Sequence, residues 1–318
     1  MTPAVPSRGK VAAAFAIVYV IWGSTYLAIL FAIETLPPLL MAAARFLLAG
    51  GILFAWALSR GAPLPTRRQW AGCAVAGMLM LMLGNGAVVW AETRIPSGVA
   101  ALIVAIVPCW MVLLEWLRSG DRPTGRVFAG LGLGLVGLVL LVGPEGLMGG
   151  GRIDRVGAGI LVLGGFAWAA GSIYTRGRDL PAPRMSTAAQ MLAGGAGLVV
   201  AGTVFGEWSQ LDLSGVSTRS VLGVLYLVVF GSIIAYSAYV WLLQVSTPAR
   251  VSTYAYVNPV VAVFLGWLLA GEALTMRMGV AAAVIVAGVA LITLKRPSPG
   301  TQAMAHQRVR RVRPKKAA

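Results

Sequence analysis

The chain has 318 residues, 58% of them hydrophobic and only 11% charged, with a mean hydropathy of +0.82. A soluble domain carries about 25% charged residues, so this composition excludes an ordinary globular protein and points to the bilayer. The formal charge of +16 does not imply nucleic acid, because eight of the 26 basic residues lie between Lys295 and Lys316 and most others sit between apolar runs. There they set orientation and meet anionic lipid headgroups.

A helix needs about 20 apolar residues to cross the hydrocarbon core. The sequence predicts five such spans near 11–33, 39–58, 70–90, 97–116 and 125–143, and five more near 156–175, 187–205, 220–243, 250–270 and 276–294. The expected fold class is an all-α polytopic membrane protein, since uniformly apolar strands of this length would not form a barrel with a polar lumen. Arg8 and Lys10 before the first run resemble the start of a signal peptide. That run has no clear small-residue cleavage site and further apolar segments follow, so it is expected to be the first span.

With the N-terminus placed in the cytoplasm, inner loops carry Arg8, Lys10, Arg60, Arg67, Arg68, Arg118, Arg122, Arg126, Arg176, Arg178, Arg184 and Arg250. Outer loops carry only Arg94, Arg152, Arg155, Arg219 and Arg277. Twelve against five, before the tail is counted, predicts both termini inside.

The two halves share a register. The stretch from Pro108 aligns without gaps to that from Pro259, matching Trp116 with Trp267, Leu117 with Leu268, Gly120 with Gly271, Asp121 with Glu272, Thr124 with Thr275 and Gly137 with Gly288. A fainter match joins Gly23, Ser24 and Tyr26 to Gly171, Ser172 and Tyr174. Apolar agreement between helices means little, so the specific part is the linking turn, G-[DE]-x-x-T. Five spans per half is an odd number, so the second half is expected to enter from the opposite side, the inverted-repeat plan of secondary transporters. The expected organisation is a cytoplasmic N-terminus (1–10), a first repeat (11–143), an outer linker (144–155), a second repeat (156–294) and a basic cytoplasmic tail (295–318).

Chemistry is sparse. Cys73 and Cys109 fall inside apolar segments, and the single histidine, His306, lies in the basic tail. No zinc-ligand spacing, histidine-dependent triad or GxxxxGK[ST] phosphate loop is present. Neither an enzyme nor a cofactor is expected.

Residues 11 to 294 resemble the drug/metabolite transporter superfamily, specifically its EamA-type bacterial inner-membrane exporters. The resemblance rests on IWGSTY (Ile21 to Tyr26), Arg45 in AAARF, the paired turns SGDRPT and AGEALT, and Pro108 and Pro259. Asp121 departs from the usual glutamate of that turn. The resemblance implies export of amino acids, metabolites or toxic compounds from a central cavity lined by the first, third, fourth, sixth, eighth and ninth helices. The partners expected are a small-molecule substrate and membrane lipid, and oligomeric state is not legible.

On that frame Trp22, Tyr26, Arg45, Asn85, Trp168, Tyr236 and Asn258 are the cavity candidates. Aromatic walls with a few amides suit amphipathic solutes. Arg45 stands inside the second span, where an arginine costs about 2.5–3.5 kcal/mol on insertion scales. It either attracts a substrate carboxylate or snorkels to Glu34 or a carbonyl as a clamp. Glu115 is a possible proton-coupling carboxylate, or an ion pair with Arg118 at i,i+3. Pro108 and Pro259 are expected to kink the fourth and ninth helices, as packing features or as gating bends. Gly130, Gly134, Gly137, Gly279 and Gly288 are read as helix-packing faces. The favoured reading is a secondary exporter working by alternating access. A passive facilitator, or a non-transporting membrane sensor or scaffold, is the alternative.

Overall fold

The computed structural model describes residues 7–95, 97–148, 154–270 and 275–293. Regular structure among them is entirely helical. In chain order the longer helices are α1 (Arg8–Ile33), α2 (Pro38–Ser59), α3 (Arg67–Ala91), α4 (Val99–Ser119), α5 (Gly125–Met148), α6 (Arg155–Thr175), α7 (Pro183–Val204), α8 (Thr218–Val245), α9 (Tyr254–Ala270) and α10 (Met276–Thr293). Eight of them, all but α5 and α9, are long and apolar enough to cross a membrane. Gly271 and Glu272 of the second linking turn, Arg152, His306 and the basic tail lie outside the described residues.

Local sequence fixes the helix starts. Thr66 and Gln69 form a reciprocal capping box at α3, and Asp154 accepts from the amides of Val156 (2.8 Å) and Gly157 (3.1 Å) at α6. Helix α2 begins with Pro38 and has no cap of its own. Its first free amides are met from far along the chain: Glu207, in a 3-10 turn after α7, accepts from Leu39 N at 3.1 Å and Leu40 N at 2.9 Å. Gly120 ends α4 at φ 76°, which explains the glycine of the first linking turn.

Two of the long helices are not regular. Met78–Asn85 in α3 and Leu227–Tyr236 in α8 are wound as π-helix. Such turns leave carbonyls out of the α-helical ladder and recur at functional sites.

Of the two prolines expected to kink a helix in mid-span, Pro108 stands elsewhere. Helix α4 breaks at Ala105–Ile106 and Pro108 stands in the first turn of the segment that restarts at Val107. The imino nitrogen cannot donate to the carbonyl of Val104, and a helix accepts proline at its start. Pro259 does lie within a helix, α9.

Packing is dominated by α2 against α7, α10 against α5, α3 against α6, and α1 against α8 and α9. Tyr236, Phe46, Met80 and Leu198 are among the fully buried side chains of the main core. A second cluster joins Leu138 of α5 to Ala281 and Ile285 of α10. A Cβ added at Gly130 would come within 2.7 Å of Gly288 O, and one at Gly137 within 3.1 Å of Ala281 O. Those glycines permit the close approach, and Gly134 makes room for the Tyr256 ring. Gly279 has open space around its Cβ position, so packing does not explain it.

Candidate functional site

The helices enclose a cavity whose wall is built from α1, α2, α3, α4, α6, α8 and α9. All seven residues singled out from the sequence border it: Trp22, Tyr26, Arg45, Asn85, Trp168, Tyr236 and Asn258. Helix α2, which the resemblance left out of the lining, enters through Arg45 and Phe46.

One side of the cavity is aromatic. The Trp22 ring lies 5.6 Å from Trp168, at 77°, and 4.9 Å from Tyr254, at 78°. Edge-to-face pairs of this kind suit the ring quadrupoles. The polar tips of Trp22, Trp168, Tyr239 and Tyr236 are tied. Trp22 Nε1 donates at 3.1 Å to Gly231 O, inside the π-wound stretch of α8. Trp168 Nε1 donates to Tyr239 Oη at 2.8 Å, and that hydroxyl meets Ser172 Oγ at 2.6 Å. Tyr236 donates to Gln190 Oε1 at 2.8 Å, and Gln190 to Ser186 Oγ at 2.9 Å. These bonds fix the rotamers, so the rings form a preorganised wall.

The IWGSTY stretch supplies most of α1's share. Thr25 and Tyr26 face the cavity beside Trp22. Gly23 lets α9 approach, since a Cβ there would lie 2.7 Å from Val261 Cβ and 3.1 Å from Asn258 O. With its amide oriented to meet the carbonyls around it, Asn258 donates to Tyr19 O (3.2 Å) and Tyr254 O (3.0 Å), joining α1 to α9.

Arg45 is the charge of the cavity. It is 4% exposed, its Nε donates to Ser232 Oγ at 2.8 Å, and its guanidinium lies over Gly231. Nη1 is buried with no hydrogen-bond partner, and no carboxylate among the described residues is within ion-pair distance. Glu34, a clamp partner considered from the sequence, binds Arg219 at 3.0 Å instead. Asn85 Oδ1 is also buried and unpartnered. A donor-bearing cation and a free amide acceptor therefore share a wall that is otherwise apolar and aromatic.

Glu115 lies away from this cavity. Its carboxylate sits 3.5 Å from Arg118 and 3.9 Å from Arg176, and Arg176 Nη1 also donates to Leu243 O and Ser246 O, at 2.7 and 2.8 Å. The group ties α4, α6 and α8 together at one end of the bundle. Pro108 borders the break in α4 whose flanking residues, Val104 and Val107, line the cavity.

Sequence reasoning missed Ser232, Gln190, Glu207 and Glu92. A serine or glutamine inside an apolar run gives no signal of the residue it serves on another helix. Glu207 and Glu92 lie between apolar runs of the sequence, where acids are ordinarily solvated, yet they are 4% and 7% exposed.

A bundle of long apolar helices around a charged, aromatic cavity defines a multi-pass membrane protein with an internal cavity. The family model described as "EamA-like transporter family" matches residues 10–143 and again 155–294, and the chain belongs to that family. The chain is 42% identical over 279 residues to the "Uncharacterized inner membrane transporter YedA" of Escherichia coli K12, covering 87% of this chain and 88% of that one. It is 28% identical to "Protein PecM" of Dickeya dadantii, covering 80% and 82% of the two chains. It is 23% identical to the "Probable amino-acid metabolite efflux pump" of Salmonella typhimurium, covering 86% and 91%. A solved crystal structure, 22% identical, superposes with a TM-score of 0.75 over 91% of this chain and 98% of its own.

Proposed function

We propose that the chain is a secondary carrier of the bacterial inner membrane that exports small amphipathic metabolites, amino acids among them, by alternating access. The observation that carries this reading is Arg45: a buried guanidinium, free of any carboxylate among the described residues, in the wall of an aromatic cavity. Charge inside a membrane span is expensive and marks a substrate path when nothing else neutralises it. A carboxylate held by Nη1 and the free Asn85 oxygen, with an apolar or aromatic side chain against Trp22 and Trp168, describes an amino acid or a close derivative. The relatives named as an inner membrane transporter and an amino-acid metabolite efflux pump agree with that class.

Alternating access follows from the repeat. We read the chain as ten spans in two five-helix halves of opposite orientation, with both termini inside, on three supports. The basic residues favour that side by twelve to five before the tail is counted. The family model matches the chain twice in succession. The two π-wound stretches end on Asn85 and Tyr236, which are separated by the same offset as Pro108 and Pro259. Two such halves can rock about a site between them, and the Glu115–Arg176 tie is placed to hold one end shut.

The test is counterflow in liposomes. The purified chain, loaded with unlabelled amino acids, should accumulate the labelled compound, and Arg45→Ala should abolish exchange of carboxylate-bearing solutes while the protein stays monodisperse. An Arg45→Ala variant that exchanges them as fast as wild type would remove Arg45 from the site.

A further inference from the structure

The carrier reading leaves open what drives export, and one buried acid has no structural task. Glu92 follows the last residue of α3, stands 7% exposed, and neither of its carboxyl oxygens has a hydrogen-bond partner. It comes seven residues after Asn85 and four after Val88. On an α-helix those spacings place it on the cavity-lining face of α3. Its chain neighbours Ala91 and Ile95 belong to a buried apolar cluster with Val99 and Leu161. Tyr26, from the cavity wall of α1, is within electrostatic reach.

We propose that Glu92 is the proton-binding carboxylate of this carrier, charged from the outer side and discharged inside in exchange for the exported solute. The inference rests on the carrier reading above and names its coupling ion. A carboxylate deprived of water and of donors favours its neutral form. Burial pushes Glu92, just past the span, up to about 8. It is therefore mostly protonated below that pH and ionised above it, and can take or lose a proton near neutrality.

The charged groups on the neighbouring elements are engaged elsewhere. Arg94 and Asp154 hold each other at 3.5 Å, beside Arg155 at the start of α6. Glu207 is bound by the amides of α2, and Arg45, held through Nε by Ser232, keeps its charge in the cavity wall for the solute carboxylate. Glu115, by contrast, is paired with two arginines, Arg118 and Arg176.

Coupling follows from charge balance. An amino acid whose carboxylate sits on Arg45 brings an ammonium, and that positive charge favours ionised Glu92. The empty cavity returns with a proton on Glu92 in place of the ammonium. One proton thus moves in, bound to a carboxylate oxygen, for each solute that moves out, and no bond of the solute is altered.

The test uses the purified full chain. In infrared difference spectra between about pH 6 and about pH 10, a protonated-carboxyl band should disappear on alkalinisation in wild type and be missing from Glu92→Gln. A wild-type spectrum with no such band overturns the proposal without recourse to any variant. In liposomes, with each common amino acid as labelled probe, both proteins should perform counterflow. An inward proton gradient should accelerate export about tenfold in wild type and leave Glu92→Gln unchanged. Equal acceleration of both proteins overturns the assignment of Glu92. Absence of counterflow in wild type overturns the carrier reading itself, whatever the spectra show.

Discussion

Arg45 and Ser232 join α2 to α8 through a single charge-assisted hydrogen bond, Nε to Oγ, at 2.8 Å. Both residues are buried, and the bond aims the remaining guanidinium nitrogens along the cavity wall. An interhelical bond within the bilayer is worth about 1–2 kcal/mol in model systems. Ser232→Ala should therefore keep the protein folded but let the guanidinium wander. The affinity for a carboxylate-bearing solute should fall about tenfold, read as a rise in the half-saturating concentration for counterflow.

Gly231→Ala tests the same placement from the other side. The new Cβ would lie 2.9 Å from Arg45 Nη2 and 3.2 Å from Thr25 Cγ2. The guanidinium is the movable partner, so it should be pushed out of line. Counterflow of amino acids should drop by about tenfold or more, in keeping with the loss of a positioned charge. Gly51→Ala, at a site with open space around it, should change neither transport nor melting temperature.

Glu207 supplies both oxygens to the start of α2. Glu207→Gln keeps one acceptor and removes the negative charge at a helix N-terminus, a loss of about 1–2 kcal/mol. The melting temperature in detergent should fall by a few degrees, with solute affinity in the surviving protein unchanged. An unchanged melting temperature would show that water serves those amides equally well.

Asp154 caps α6 and pairs with Arg94. Its amide donors, Gly157 foremost, hold its pKa below the ordinary 3.8. A depressed native pKa contributes stability that is complete above the unfolded value and is lost as pH falls through the native one. Wild type should therefore lose melting temperature between about pH 5 and about pH 3 more steeply than Asp154→Asn. Parallel curves would refute this.

The sequence was most legible where one helix decides. Apolar run length located the helices, and the aromatic and amide residues inside those runs border a common cavity. Residues decided by a second helix were not legible. Arg45 could be seen to need a partner, but whether that was Glu34, a carbonyl or Ser232 depends on how α2 and α8 pack, 187 residues apart. Glu92 sits at a helix end, where sequence alone suggests water, and its burial follows from the packing of the helices around it. Pro108 was expected to bend a continuous helix, yet the chain breaks two residues earlier and uses the ring to start again. Even so, a register shared with Asn85 could have drawn attention to Glu92.

The separation of Arg45 from Ser232 also bears on biogenesis. At about 5–20 residues per second, the ribosome makes the serine roughly ten to forty seconds after the arginine. Throughout that interval α2 must reside beside the translocon or in lipid with its guanidinium unsatisfied. Its long apolar run is what carries it through. A single polar substitution on the lipid side of α2 should therefore harm insertion more than the same change in a helix without a buried charge, and the defect would appear in yield before it appeared in transport.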